Sequence, residues 1–299
     1  MVQIIGNYFV GLGINEQFDT GARANAGAVG LDGHDRIMSG NASTNNIFEG
    51  GRGADNLFFY VGASGPASGS LYGGEGNDHL SGSSGQDRLY GGDGDDWMDG
   101  NWHTFDNDDD DVLYGGEGRD AMHGRGGDDV IYGGAGDDKG EIATASSTTW
   151  QDNLINFAAQ AGLYGGDGND YLDGGAGDDR LDGGNGMDLM SGGSGADEFV
   201  FSSALNKNTN VDRIRDFSKR EGDKIVLTEA IFDAIGPTLS KKEFVVGKKA
   251  GDGNDYIIHD RKRGTLAYDE DGKGGAKAIV FATVEKGLKL SAGDFEIAV

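Results

Sequence analysis

The chain has 299 residues, 57 of them glycine, with only two prolines, no cysteine and a formal net charge of −26. Glycine without proline excludes collagen and proline-rich linkers, and the missing cysteine excludes disulfide staples and a thiol nucleophile. A chain this acidic repels itself when compact and does not attract nucleic acid or anionic lipid, so it either stays disordered or awaits cations.

Residues 1–49 are rich in glycine and asparagine, with apolar residues at Ile4, Ile5, Tyr8, Phe9, Val10, Leu12 and Ile14 and a degenerate repeat at Gly33-His34-Asp35-Arg36-Ile37. They are expected to form irregular β structure that covers the first end of a stack, because an open rung is a sheet edge that invites pairing. The opening MVQIIGNYFVGLG has neither a basic region nor a long apolar run, so it does not read as a secretory signal peptide. No segment reaches the length of a membrane span. Taken alone, these facts point to the cytoplasm, unless export uses a signal elsewhere in the chain.

Residues 50–200 repeat with a period of nine. Gly165–Val200 shows the pattern without slippage as GGDGNDYLD, GGAGDDRLD, GGNGMDLMS and GGSGADEFV, that is Gly-Gly-x-Gly-x-Asp-x-apolar-x. Such a fixed period signals stacked identical units, a parallel solenoid. The first clean unit starts at Gly50, and Phe59–Tyr72 stretches the next. Later units begin at Gly73, Gly82, Gly91, Gly100, Gly115, Gly124, Gly133, Gly165, Gly174, Gly183 and Gly192. Insertions near 101–110 and 139–162 leave the register intact, so they should bulge from the side. Trp150, Leu154, Phe157 and Ala161 have helical spacing, the only helix expected inside the repeats. Trp97, Trp102, Phe105, Trp150 and Phe157 are read first as packing of these loops over the roll, and second as a partner or glycan contact.

The unit divides its labour. Glycines at positions one, two and four permit positive φ and a tight turn with inward carbonyls. Position eight faces the interior, and Leu80, Leu89, Met98, Leu113, Met122, Ile131, Leu163, Leu172, Leu181, Met190 and Phe199 are all apolar there. One unit reverses the chain once, so position-six aspartates two units apart stack at about 4.8 Å. One column is Asp55, Asp78, Asp96, Asp120, Asp138, Asp179 and Asp197, and the other is Asp87, Asp111, Asp129, Asp170 and Asp188. Neighbouring carboxylates at that spacing repel by roughly 3–4 kcal/mol at an effective dielectric near 20. Without a counter-ion the roll should not close. Carboxylates and carbonyls with no thiolate and almost no imidazole form an all-oxygen donor set, which suits several Ca²⁺ ions better than Mg²⁺.

Residues 201–299 lose the repeat, gain lysine and show strand-like runs at 224–227, 244–247, 256–259, 265–268 and 278–283, with a short helix expected over Thr228–Ile235. They are expected to form a separate, mainly β cap. Asp269-Glu270-Asp271-Gly272 resembles the start of a calcium-binding helix–loop–helix segment but lacks its full ligand set, and reads as a hairpin turn.

The nonapeptide resembles the RTX (repeats-in-toxin) family, hemolysin-type calcium-binding proteins whose hallmark is GGxGxDxUx. The resemblance implies an all-β, right-handed parallel β-roll that folds on binding calcium. It also implies ions between the turns of successive rungs, each held by carbonyls of positions two and four of one loop, positions one and three of the loop two units on, and both aspartates. Carried over residue by residue, these are Gly74 and Gly76 with Gly91 and Asp93; Gly92 and Gly94 with Gly115 and Glu117; and Gly116 and Gly118 with Gly133 and Ala135. Further along they are Gly166 and Gly168 with Gly183 and Asn185, and Gly175 and Gly177 with Gly192 and Ser194. Gly82-Ser83-Ser84, Gly100-Asn101 and Gly124-Arg125-Gly126-Gly127 depart from the pattern, and sites there are expected to be weaker or missing. The tail, quoted as Asp212-Arg213-Ile214-Arg215-Asp216-Phe217, Gly222-Asp223-Lys224-Ile225-Val226-Leu227 and Gly264-Thr265-Leu266-Ala267-Tyr268-Asp269, is similar to serralysin-type C-terminal regions. That similarity implies an uncleaved C-terminal signal for the type I secretion apparatus, for which Glu296-Ile297-Ala298-Val299 fits, and an extracellular location.

No His-Glu-x-x-His or Gly-x-Ser-x-Gly motif occurs. His34, His79, His103, His123 and His259 are scattered, and His79 and His123 are expected at the surface. The expected function is a secreted, non-enzymatic calcium-binding protein with a matrix, surface or adhesion role, in which cell-surface or matrix polysaccharide is a candidate partner. The alternative is a calcium-stabilised extracellular lyase or epimerase acting on polysaccharide. A secreted toxin is disfavoured by the lack of a long apolar membrane-active region.

Overall fold

The computed structural model describes residues 3–5, 8–10, 17–19, 27–38, 45–59, 68–101, 109–136, 138, 162–272 and 277–298. Each regular unit folds as a turn and a short strand because its glycines and its apolar residue act separately. The second and fourth positions take a left-handed backbone, with φ of 118° at Gly74 and 134° at Gly76, which turns the chain sharply at little steric cost. Beyond the turn the side chains alternate, so position eight points in while positions seven and nine point out.

Successive units therefore fall on opposite sheets. One stacks Gly69–Glu75, Arg88–Asp93, Val112–Glu117, Val130–Ala135, Tyr171–Ala176 and Leu189–Ser194. The other stacks His79–Ser81, Trp97–Asp99, Ala121–Gly126, Leu163–Asp167, Arg180–Asn185 and Glu198–Phe201. Pairing within both stacks is parallel, and like positions face each other: Leu71, Leu89, Leu113 and Ile131 lie side by side, as do Leu80, Met98 and Met122 opposite. The position-eight residues are at most 2 % exposed, and the two ladders meet in one continuous core. This is the parallel β-roll that the period implied.

Both sheets run on past residue 200. Asp212–Ile214 pairs with Leu189–Ser194, Lys224–Thr228 with Glu198–Phe201, and Phe295–Ala298 with Lys224–Thr228, all in parallel. Antiparallel strands Ile257–Asp260, Thr265–Tyr268 and Ile279–Thr283 complete the cap. At the other end, Gln3–Ile5 and Tyr8–Val10 form an antiparallel pair at the edge of the larger sheet.

The helix expected over Thr228–Ile235 is absent. The N–H groups of Ile231 and Phe232 both reach Thr228 O, but the Ala234 N–H donates to the Tyr268 hydroxyl at 3.0 Å instead of continuing a helical ladder. Burial of Phe232 and Ile235 beneath the cap fixes this path. Asp269–Gly272 is a turn, with Gly272 at φ 62° and its N–H donating to Asp269 O. The helical spacing over 150–161 and the residues Trp102, His103, Phe105, Trp150 and Phe157 lie outside the described residues. Among the described residues no helix is long and apolar enough to cross a membrane.

Leu172 is fully buried between Ile131 and Met190 of the adjacent strands. Leu172→Ala is expected to cost about 2–5 kcal/mol in saturating calcium. Met187→Ala, at a side chain 55 % exposed, should stay within about 0.5 kcal/mol. Urea unfolding of the two variants beside the wild type checks both.

Candidate metal sites

The turns gather the position-six aspartates into the two expected columns. The N–H groups of Asp55, Asp78, Asp96, Asp120, Asp138 and Asp179 each donate to Oδ1 of the next member, ending at Asp197, over 2.7–3.0 Å. Asp87, Asp111, Asp129 and Asp170 do the same toward Asp188 over 2.7–2.9 Å. All these aspartates are at most 3 % exposed. Each carboxylate is thus tied through one oxygen to the backbone of its neighbour.

Three members escaped the sequence pattern. Asp35 N–H donates to Asp55 Oδ1 at 2.6 Å, Asp197 N–H to Asp223 Oδ1 at 3.3 Å, and Asp188 N–H to Asp212 Oδ1 at 3.1 Å. The signal present was Asp-x-Ile, in Asp35-Arg36-Ile37, Asp212-Arg213-Ile214 and Asp223-Lys224-Ile225. Positions six to eight persist there although the glycine pattern has decayed.

The second carboxylate oxygen differs. Oδ2 of Asp55, Asp78, Asp96, Asp120, Asp129, Asp170 and Asp188 is buried with no hydrogen-bond partner. An unmatched buried polar atom costs about 1–3 kcal/mol, and a charged one more. Each faces the position-one glycine of its own loop. A Cβ on Gly91 would overlap Asp96 Oδ2 and lie 2.7 Å from Gly115 O, and one on Gly165 would overlap Asp170 Oδ2 and lie 2.6 Å from Gly183 O. The carbonyls of Gly166 and Gly168 in turn abut Gly184 and Gly186 of the following loop.

Position-three carbonyls at Asp93, Glu117, Ala135, Asn185 and Ser194 accept the N–H of Gly76, Gly94, Gly118, Gly168 and Gly177 over 2.6–2.9 Å, with a second lone pair left over. A carboxylate oxygen without a partner, converging carbonyls and room kept clear by glycine fit a hard cation of high coordination number, of which Ca²⁺ is the natural occupant. No group of three or more His, Cys, Asp or Glu that could hold a metal occurs among the described residues, because each cradle supplies its remaining donors from the backbone.

Three irregular loops satisfy themselves instead, whereas the Gly124 loop leaves Asp129 Oδ2 without a partner. Ser83 N–H donates to Asp87 Oδ2 at 2.8 Å, as Leu31 N–H does to Asp35 Oδ2 at 3.3 Å and Ser218 N–H to Asp223 Oδ2 at 2.7 Å. In the Gly124 loop Arg125 stands where a glycine is usual and accepts φ of 89°, a strained value for a residue with a side chain. Its carbonyl still abuts Gly166, while Nε reaches Asp99 Oδ1 at 2.9 Å and Oδ2 at 3.0 Å, and Nη2 also bonds Asp99 Oδ2. Asp99 is fully buried, so this guanidinium is the counter-charge on which it depends.

Burial pushes the column carboxyls up, to about 7 at Asp78 and Asp120, about 8 at Asp96 and Asp170, and about 9 at Asp129. His79 and His123, expected at the surface, are half-buried: their rings meet Trp97 and Tyr164 edge-on at 4.3 and 4.6 Å, and burial lowers them to about 4 and about 3. His259 is fully buried in the cap and is lowered to about 4.

Acids whose pKa rises on folding make the folded state bind more protons than the unfolded state. The metal-free roll therefore loses stability as pH rises from about 4 toward 9, by up to about 1.4 kcal/mol per pH unit for each such group. In chelator, far-UV circular dichroism is expected to show more β structure at pH 5 than at pH 8, and calcium added at pH 7 to release protons. A larger β signal at pH 8 in chelator would contradict the burial account. Separately, Arg125→Ala should cost about 3–5 kcal/mol in saturating calcium by stranding Asp99. Arg125→Gly should lose about 1 kcal/mol less, because the left-handed backbone is relieved. Thermal unfolding of both variants decides this.

None of the curated proteins searched matches the chain. The family described as the RTX calcium-binding nonapeptide repeat matches it in four copies, over residues 72–102, 105–139 and 164–199. These spans contain most of the regular cradles, and the repeats bind multiple Ca²⁺ ions. Over those residues, the chain carries RTX calcium-binding nonapeptide repeats.

Proposed function

We propose that this is a secreted protein whose roll folds outside the cell when calcium fills the cradles, and that it serves a non-enzymatic matrix, surface or adhesion role. The observation that carries this is the series of buried, partnerless Oδ2 atoms. Each ion lies between consecutive loops of one column, on the carbonyls and aspartates that the resemblance implied, for example Gly166, Gly168 and Asp170 with Gly183, Asn185 and Asp188. The same donors recur, beyond the pairs carried over from sequence, at Gly51, Gly53 and Asp55 with Gly73, Glu75 and Asp78, and at Gly134, Gly136 and Asp138 with Gly174, Ala176 and Asp179.

Binding free energy then becomes folding free energy. Low calcium inside a cell leaves the chain unfolded, and a calcium-rich exterior closes the roll. Type I export through the C-terminal segment is supported by the placement of Phe295–Ala298, which pairs with Lys224–Thr228 and so is free as a linear signal only before folding. On this account 1–49 is the first cap, 50–200 the calcium roll and 201–299 the cap and export region.

An adhesive role is supported by the outer face of the larger sheet. Tyr72, Tyr90, Tyr114 and Tyr132 stack there at 4.7, 5.0 and 4.8 Å, beside Arg88, Val112 and Val130. These seven side chains carry no carboxylate, with Glu49 and Asp173 only at the two ends of the tyrosine row, and on a protein of net charge −26 such a stretch is where contact with another surface costs least.

Circular dichroism in millimolar calcium is expected to show the β-roll and in EDTA a largely unfolded chain. An equal β signal in both would sink the proposal.

A further inference from the structure

Position five of the repeat, next to each column aspartate, points to solvent and takes no part in the cradles. Among the described residues, where it is Asp or Asn it nevertheless makes one recurrent contact. Asn77 Oδ1 accepts the N–H of Asp95 at 3.1 Å, and Asp95 Oδ1 accepts that of Arg119 at 3.0 Å. On the other flank Asp110 Oδ1 accepts the N–H of Asp128 at 2.9 Å, Asp128 that of Asn169 at 2.8 Å, and Asn169 that of Met187 at 3.0 Å. Asp178 Oδ1 accepts the N–H of Ala196 at 2.7 Å.

The direction of these bonds is opposite to that of the columns. Asp78 N–H donates forward to Asp96 Oδ1, whereas Asp95 N–H donates backward to Asn77 Oδ1. Two adjacent residues thus tie the same pair of loops in both directions. The inner tie shares its carboxylate with the Oδ2 that faces the cradle, so an ion drawing on that carboxylate competes with it. The outer tie does not compete. It holds the spacing of the loops, and hence of the carbonyls between them, whether or not an ion is present.

Asp128 and Asn169 are separated by 41 residues of sequence and bracket the longer insertion, and there the tie is doubled by Asn169 Nδ2 at 3.2 Å from Asp128 Oδ1. Asn77 and Asn169 make the contact as well as the aspartates do, so what is required is an acceptor oxygen.

We propose that the position-five Asp and Asn side chains are positioning residues for the calcium-bearing loops, acting as hydrogen-bond acceptors and not as accessory negative charges. This rests on the placement of ions between loops proposed above. Full-length wild type, Asp128→Ala and Asp128→Asn would be titrated with calcium by circular dichroism and with terbium by sensitised luminescence, at low and high salt.

The expected result is a calcium midpoint raised about fivefold in Asp128→Ala, and within about twofold of wild type in Asp128→Asn, at either salt concentration. Asp178→Ala, whose bond to Ala196 lies far along the array, gives the same readout should Asp128→Ala fail to fold. Equal shifts in the Asn and Ala variants that shrink at high salt would show a charge effect and overturn the proposal. So would an unshifted midpoint in both Ala variants beside a calcium-responsive wild type. A wild type indifferent to calcium would instead remove the ion placement itself, and the inference with it.

Discussion

A buried carboxylate must have a partner, and this protein buries whole columns of them. Each position-six aspartate spends one oxygen on the backbone of its neighbour, and most leave the other facing a space that a methyl group would block. Charged burial without compensation costs several kcal/mol per ion, more than one apolar side chain per unit returns. The core ladder and the carboxylate columns are therefore not independent. The ladder fixes where the turns stack, and the stacked turns demand a cation.

The exceptions follow the same constraint. Where glycines are missing, protein donors supply what an ion would: the Ser83 N–H on Asp87, and the end-loop N–H groups of Leu31 and Ser218 on Asp35 and Asp223. Arg125 accepts a strained backbone and delivers a guanidinium to fully buried Asp99. Both flanks mix the two kinds of loop: Asp35 and Asp223 are satisfied by protein donors at the ends of the flank of Asp78, Asp96 and Asp120, while the other flank satisfies Asp87 and leaves Asp129, Asp170 and Asp188 Oδ2 without a partner. Calcium dependence is thus distributed unevenly along one continuous pair of sheets.

The proposed calcium-dependent folding gives the acidic composition a use. Burial raises the column carboxyls into the range where protons and calcium compete for the same oxygens, Asp129 to about 9 and Asp96 to about 8. On the proposed function, the acidity that keeps the metal-free chain open is the same acidity that closes it when calcium arrives. Both sheets extend from the roll through Asp212–Ile214 and Lys224–Thr228 into the cap, so closure of the roll and ordering of the tail are physically continuous.

The sequence by itself determined the period, the parallel stack, the inward residues from Leu80 to Phe199 and the aspartates of the regular units in both columns. All of these are consequences of a turn and strand repeated with one spacing. It also determined the donor chemistry, since only oxygen ligands recur. Tertiary structure alone decided what depends on neighbours two units away or on a partner far along the chain. Asp35, Asp212 and Asp223 join the columns because the backbone path outlasts the glycine pattern. Residues 228–235 turn instead of forming a helix because the Tyr268 hydroxyl captures the Ala234 N–H. His79 and His123 are half-covered through packing against Trp97 and Tyr164. Position five, marked only as variable in the repeat, became a second stitch because stacking brought each side chain opposite one backbone N–H of the adjacent loop. A local pattern can specify a rung, but which polar atoms are left over is settled only when rungs meet.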